Sequence, residues 1–272
     1  MPSSRRRSWG SGFHGYLGLV PILMYHSVSG EQDRRSIPYY QTNTYPSVFE
    51  EHIRFLVADG YKPCWLEDIF NNGLKGFCGK PIAITFDDGY QDIYSIVYPI
   101  LRKFNIPATV FLPTGYIGSS RMSFKDRPCL DWNEIRELSK NGFSFGSHSH
   151  SHLELNSLTL RQLEEELRAS KEIIEREIGT PVRSFSYPYA FPEADEEFVR
   201  LLRSTLAKTG YRTGVTTKIG CCGPGADPLT LKRIPINSHD DITFFKAKIE
   251  GCYDWVYSLQ RIYKVFGRKL RS

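Results

Sequence analysis

No stretch of the 272-residue chain approaches the roughly 18 consecutive apolar residues that a membrane-spanning helix needs, so no transmembrane segment is read. Cysteine is scarce: the six (Cys64, Cys78, Cys129, Cys221, Cys222 and Cys252) show no Cys-x-x-Cys spacing, and six in a chain this long is too thin for a disulfide scaffold. A reducing compartment is favoured on that count. Net charge is low, +5 from 35 Lys+Arg against 30 Asp+Glu, so no nucleic-acid partner is expected. The N-terminus carries Arg5, Arg6 and Arg7, but Gly10, Ser11, Gly12, His14 and Gly15 interrupt the apolar run of about 7–15 residues that a signal peptide requires. The expected location is therefore the cytoplasm or the membrane periphery, with export of a trimmed form left open. Internal repeats and low-complexity tracts are also missing. What is present, 40% hydrophobic and 14% aromatic residues, is enough for a sizeable core. The length suits one large domain, as single α/β barrels commonly reach about 200–250 residues.

Apolar runs with strand character recur at Pro21–Tyr25, Pro81–Phe86, Ala108–Leu112, Phe143–Gly146, Val182–Tyr187, Thr213–Val215 and Leu231–Ile236. Helical periodicity falls between them at Pro46–Asp59, Tyr90–Phe104, Asn133–Lys140, Thr159–Glu177 and Glu196–Lys208. The clearest is the fourth, where Leu160, Leu163, Leu167, Ile174 and Ile178 form a stripe, Thr159 and Gln162 a capping box, and Gly179-Thr180-Pro181 a stop. Repeated strand–helix alternation predicts an α/β fold with a mostly parallel sheet, open or closed into a barrel.

In such folds reactive groups sit at the C-terminal ends of the strands. Four strands here end in polar residues: His26 after the first, Asp87-Asp88-Gly89 after the second, Ser147-His148-Ser149-His150-Ser151-His152 after the fourth, and Pro188-Tyr189 after the fifth. Successive residues leaving a strand point to opposite sides, so one aspartate can bind a metal ion while the other stands beside it as a base. His148 and His152 are four apart and share a face if the loop makes a helical turn; with one carboxylate they complete a His₂Asp set that leaves a position open. In an extended segment His150 would share their face too. Such a set suits metal-assisted hydrolysis, in which the ion lowers the pKa of a bound water to about 7. Taken alone, Asp-Asp-Gly is equally a solvated turn; the bland reading of the histidine tract is a serine-rich surface loop, against which stands the clustering of three of the chain's seven histidines within five residues.

Together, Thr85-Phe86-Asp87-Asp88-Gly89, Ser147-His148-Ser149-His150-Ser151-His152 and Ser186-Tyr187-Pro188-Tyr189 resemble the motifs of the polysaccharide deacetylases with a NodB-homology domain, carbohydrate esterase family 4, over about residues 20–240. The resemblance implies a single distorted (β/α) barrel and removal of an acetyl group from an N-acetylated glycan, polysaccharide or lipid-linked saccharide. It implies Asp87 as general base and Asp88, His148 and His152 as ligands of a divalent ion. Zinc suits that donor set, with cobalt, nickel or iron able to replace it. The Tyr189 backbone N–H would be donor to the oxyanion.

Two departures stand out. Where the family's third motif has an arginine tuning the base, this chain has Ser186, and Arg183 is out of register; Arg233 is assigned no role. The family's C-terminal Leu-x-His motif is missing around Arg233–Asn237, with His239 a little beyond. Ile22-Leu23-Met24-Tyr25-His26 resembles that motif moved to the front, as in the circularly permuted poly-N-acetylglucosamine deacetylases, which makes His26 the acid. Residues 1–19 are expected to be a poorly ordered basic segment. Residues 241–272 are expected to form a basic amphipathic helix that packs on the barrel or lies on a membrane surface. The loops Glu31–Thr44 and Ser119–Leu130 are expected to shape the groove. Other readings are an amino-sugar deformylase, an imide hydrolase or a non-catalytic glycan-binding module.

Overall fold

The structure is a computed structural model that describes residues 18–31, 41–71 and 79–256. In chain order the strands are β1 (Ile22–Tyr25), β2 (Ser27–Val28), β3 (Asn43–Thr44), β4 (Tyr61–Cys64), β5 (Lys80–Phe86), β6 (Ala108–Leu112), β7 (Ser123–Phe124), β8 (Arg127–Pro128), β9 (Phe143–Ser147), β10 (Ser184–Ser186), β11 (Thr213–Ile219) and β12 (Leu231–Pro235). The α-helices are α1 (Pro46–Ala58), α2 (Leu66–Asn71), α3 (Tyr98–Lys103), α4 (Trp132–Ser139), α5 (Leu160–Ile178), α6 (Glu196–Thr209) and α7 (Ile242–Ile249).

Seven parallel strands close into a ring in the order β1, β5, β6, β9, β10, β11, β12 and back to β1. The chain is therefore an α/β barrel, as the alternation predicted. The two-residue side-chain period of a strand divides each one between two environments. On β1, Leu23 and Tyr25 join the large core under the helices, while Ile22 belongs to the smaller cluster that fills the barrel. On β5, Ile82, Ile84 and Phe86 face the helices and Ala83 the interior. On β12, Leu231 faces the interior. Parity then carries His26, Asp87 and Arg233 to the same inner side as Ile22, Ala83 and Leu231.

The helices cover the outside except α2, whose Leu66 and Ile69 join the cluster that fills the barrel. α5 starts at the capping box of Thr159 and Gln162, ends at Gly179 in a left-handed conformation, and buries Leu163, Leu167, Ser170 and Ile174 at helical spacing. α4 carries a second capping box, Asp131 with Glu134.

Some expectations need correction. The helix expected over Tyr90–Phe104 opens with a π-helical turn at Ile93–Val97, and α3 begins only at Tyr98. Pro99 explains the break, since it has no N–H to continue the ladder. β4 was not anticipated, because Lys62 and Pro63 disguise it. It pairs with the first half of β5 alone, an edge position where proline is tolerated. The basic C-terminal helix is not continuous in its described part: α7 stops at Ile249, followed by Gly251 at φ +81°. Residues 257–272 lie outside the described residues, as do 1–17 of the basic N-terminal segment and 32–40 of the first groove loop. Among the described residues no helix is long and apolar enough to cross a membrane.

Candidate active site

At the C-terminal mouth of the barrel a cavity of about 380 Å³ is lined by His26, Asp87, Asp88, His148, His152 and Tyr189, all six residues singled out from the sequence. Gln41, Thr42 and Lys125, from the two loops expected to shape the groove, also line it.

Asp88 leaves β5 in a left-handed conformation, φ +68°, and Gly89 follows at +61°. A Cβ on Gly89 would lie 2.9 Å from Leu112 Cδ2, so glycine is required both by the backbone and by the close approach. This turn separates the two carboxylates. Asp88 Oδ1 lies 3.5 Å from His148 Nε2 and 3.3 Å from His152 Nε2, and the three atoms fall within 4.8 Å of one another. Asp88 Oδ2 accepts hydrogen bonds from the Tyr90 hydroxyl at 2.9 Å and Lys125 Nζ at 3.4 Å. Oδ1 is buried with no hydrogen-bond partner. Burial alone would raise the Asp88 pKa, but the nearby His148 and His152 imidazoles, with His26 and Lys125, hold it well below the usual carboxylate range.

The histidines are oriented from behind. His148 Nδ1 donates to the Ser186 carbonyl at 2.8 Å, a bond that leaves Nε2 as the bare acceptor facing Asp88. His152 is packed edge-on against His148 and Tyr189, with Phe124 at 4.8 Å, and burial lowers its pKa, favouring the neutral ring. Two imidazole nitrogens facing an otherwise unpartnered buried carboxylate oxygen fit a divalent ion. His150 stands outside this set: the ligand atoms that come together are those of Asp88, His148 and His152, and the His150 Nδ1 pairs with Thr114 Oγ1 at 2.9 Å.

Asp87 faces Arg233, which sequence reasoning left without a role. The guanidinium is fully buried, with Nη1 2.8 Å from Oδ1 and Nη2 2.7 Å from Oδ2. Its remaining N–H groups donate to Thr85 Oγ1, Ser186 Oγ and the Thr216 carbonyl, so all five donors are used. Ser186 Oγ also donates to Asp87 at 3.1 Å. Ser186 thus occupies the family arginine's place in sequence, while β12 delivers the cation in space. Burial would push Asp87 up, but Arg233 and neighbouring histidines bring it down to about 2, so the carboxylate is ionised at neutral pH. A signal for Arg233 existed: an arginine on the inner parity of an apolar strand demands a buried anion.

His26 directly follows β1 and is half-buried at the cavity wall. Burial lowers its pKa, opposed by the charges of Asp88 and Asp87. Tyr189 has φ +58°, and no hydrogen bond among the described residues takes its N–H. Of seven non-glycine residues with positive φ among the described residues, Asp88, Lys125, Ser149, His152 and Tyr189 belong to this site and its histidine loop. Strain concentrated in this way marks a functional constellation. His239 lies apart, with Nε2 3.0 Å from Gln41 Oε1.

Known proteins share both sequence and fold with this chain. Residues 75–214 match the polysaccharide deacetylase family. YxkH of Bacillus subtilis strain 168, a protein named for the polysaccharide deacetylases, is 31% identical over 234 residues, 85% of this chain and 76% of its own. A poly-β-1,6-N-acetyl-D-glucosamine N-deacetylase of Staphylococcus aureus strain MRSA252 is 27% identical over 201 residues, 70% of this chain and 67% of its own. The deacetylase PplD of Streptococcus pyogenes, solved in complex with acetate, matches with a TM-score of 0.72 over 85% of this chain and 98% of that one; at 23% identity this is a likeness of fold.

Proposed function

The chain belongs to the polysaccharide deacetylase family, and from that premise we propose that it hydrolyses N-acetyl groups on an N-acetylglucosamine polymer with the help of a divalent metal ion. One observation carries the reading: an arginine-paired aspartate and an Asp/His/His cluster open into the same cavity. A non-catalytic glycan-binding module would have no need of a buried, ionised carboxylate held by three hydrogen bonds, two from Arg233 and one from Ser186.

Asp88, His148 and His152 would hold the ion, zinc being best suited to two imidazoles and a carboxylate. Bound there, it would supply Lewis acidity to the amide carbonyl. The remaining work belongs to the chain's own groups. Asp87 accepts a proton from the attacking water, and Arg233 fixes the carboxylate's orientation and keeps it ionised. The Tyr189 N–H donates to the oxygen of the tetrahedral intermediate, a contact of the kind whose loss costs about 3–4 kcal/mol in other hydrolases. His26 gives a proton to the departing nitrogen as the C–N bond breaks, leaving acetate and a free amino sugar.

The name of the Staphylococcus aureus relative points to a β-1,6-linked polymer as the substrate. The test is acetate release from N-acetylglucosamine oligomers of β-1,6 and β-1,4 linkage. Release from the β-1,6 series at the higher kcat/KM is expected. Release from neither, by protein that binds a metal ion, would overturn the substrate assignment.

A further inference from the structure

The loop that presents His148 and His152 is held under tension. Ser149 and His152 adopt φ of +63° and +51°, a left-handed conformation that costs an L-residue about 1–2 kcal/mol. Hydrogen bonds from outside the loop must make that shape persist. Within it, Ser147 Oγ accepts the Ser149 N–H at 3.1 Å and Ser149 Oγ accepts the His152 N–H at 3.0 Å. On one side, Thr114 N–H and Gly115 N–H donate to the carbonyls of Ser149 and His150 at 3.3 and 2.8 Å. A Cβ on Gly115 would lie 2.8 Å from the His150 oxygen, so the two loops are pressed together.

On the other side stands α5. Its half-buried Glu166 reaches the loop with Oε2, which accepts the N–H of His150 at 2.9 Å and of Ser151 at 2.8 Å. One helical turn later, Ser170 Oγ bonds Ser147 Oγ at 2.8 Å, where the loop begins. Residues four apart on one helix face therefore grip the start and the middle of the loop. The two N–H groups held by Glu166 lie between the two histidines in sequence, and bonds to a carboxylate are stronger than neutral ones.

We propose that Glu166 is a positioning residue for the metal centre: its carboxylate fixes the backbone between His148 and His152 and so sets the relation of the two imidazoles to Asp88. It touches neither ion nor substrate. This inference rests on the assignment of Asp88, His148 and His152 as ligands, and not on the identity of the glycan.

The experiment compares the full chain with Glu166→Ala, Glu166→Gln and Glu166→Asp. Zinc affinity is read by competition with a chromophoric chelator, the visible spectrum of bound cobalt reports ligand geometry, and circular dichroism reports folding. Alanine is expected to weaken zinc binding about 10–100-fold and to shift the cobalt spectrum, whereas glutamine, which keeps an acceptor oxygen, stays within about threefold of wild type. If alanine does not fold, aspartate, one methylene too short, carries the test in the same direction. Folded alanine or aspartate variants with wild-type affinity and spectrum would overturn the proposal, as would a glutamine variant as weak as alanine. Wild-type protein that binds neither zinc nor cobalt would remove the ligand assignment beneath it. Silence toward every glycan with zinc still bound would overturn only the proposed substrate.

Discussion

Arg233 and Asp87 meet end to end inside the barrel, guanidinium on carboxylate at 2.8 and 2.7 Å, with neither side chain more than 3% exposed. They come from strands 146 positions apart in sequence. A buried pair of this kind gives orientation more than net stability, and breaking one side of it leaves an uncompensated charge.

Arg233→Met is therefore expected to lower stability by about 3–5 kcal/mol and turnover by at least about 100-fold. Arg233→Lys should be nearly as inactive, because an ammonium cannot reproduce the two-point grip. Adding Asp87→Asn to Arg233→Met should restore stability while leaving the protein inactive. Denaturant melts and acetate release check this; an Arg233→Met protein with wild-type turnover would refute it.

His26 is assigned to protonate the leaving nitrogen. His26→Ala should slow deacetylation of the amide by about 10²–10⁴. An aryl acetate, whose phenolate leaves without a proton, should lose far less. Comparable losses on both substrates would show that His26 has another task.

The Tyr189 contribution is assigned to its backbone, held at φ +58° in a residue that is 47% exposed. Glycine accepts that φ freely and keeps the N–H. Tyr189→Gly should hold kcat within about tenfold while KM rises, as the ring's contact area is lost. A collapse in kcat as deep as that of Asp87→Asn would place the function in the side chain instead.

Asp92, on the turn after the site, predicts a pH effect on stability. Burial pushes its carboxyl up to about 6, against hydrogen bonds from Ser27 and the Val28 N–H, and its Oδ1 has no partner. The folded value lies above the unfolded value of 3.8, so the folded state binds the extra proton. Stability from this group is greatest below the unfolded value and falls as pH rises through the folded one, a penalty of at most about 3 kcal/mol at neutral pH. Asp92→Asn keeps an acceptor for Ser27 and should be more stable by about 1–3 kcal/mol near pH 7.5, with the difference vanishing near pH 4. Denaturant midpoints at the two pH values measure this. Equal midpoints near pH 7.5 would contradict it.

The barrel was legible because strands and helices alternate with clean periods and because caps such as Thr159 with Gln162 are local. The six cavity residues were legible because each sits just beyond a strand or in the loop that follows it. Arg233 was legible only as a cation on an apolar strand in need of an anion; that the anion is Asp87 depends on which strand closes the ring beside β1, a long-range pairing that no local pattern encodes. Glu166 was hidden for a related reason: on α5 it reads as one more charge on a solvated face, and only the folded loop reveals its two N–H partners. Pro63 and Pro99 misled locally, one hiding an edge strand and the other delaying a helix.

The most direct test of the metal-dependent reading compares acetate release by chelator-stripped protein with that by the same protein given back zinc or cobalt. The account predicts negligible release from stripped protein, recovery with about one equivalent of ion, and neither binding nor recovery in His148→Ala. Undiminished acetate release from protein shown to be free of metal would contradict it.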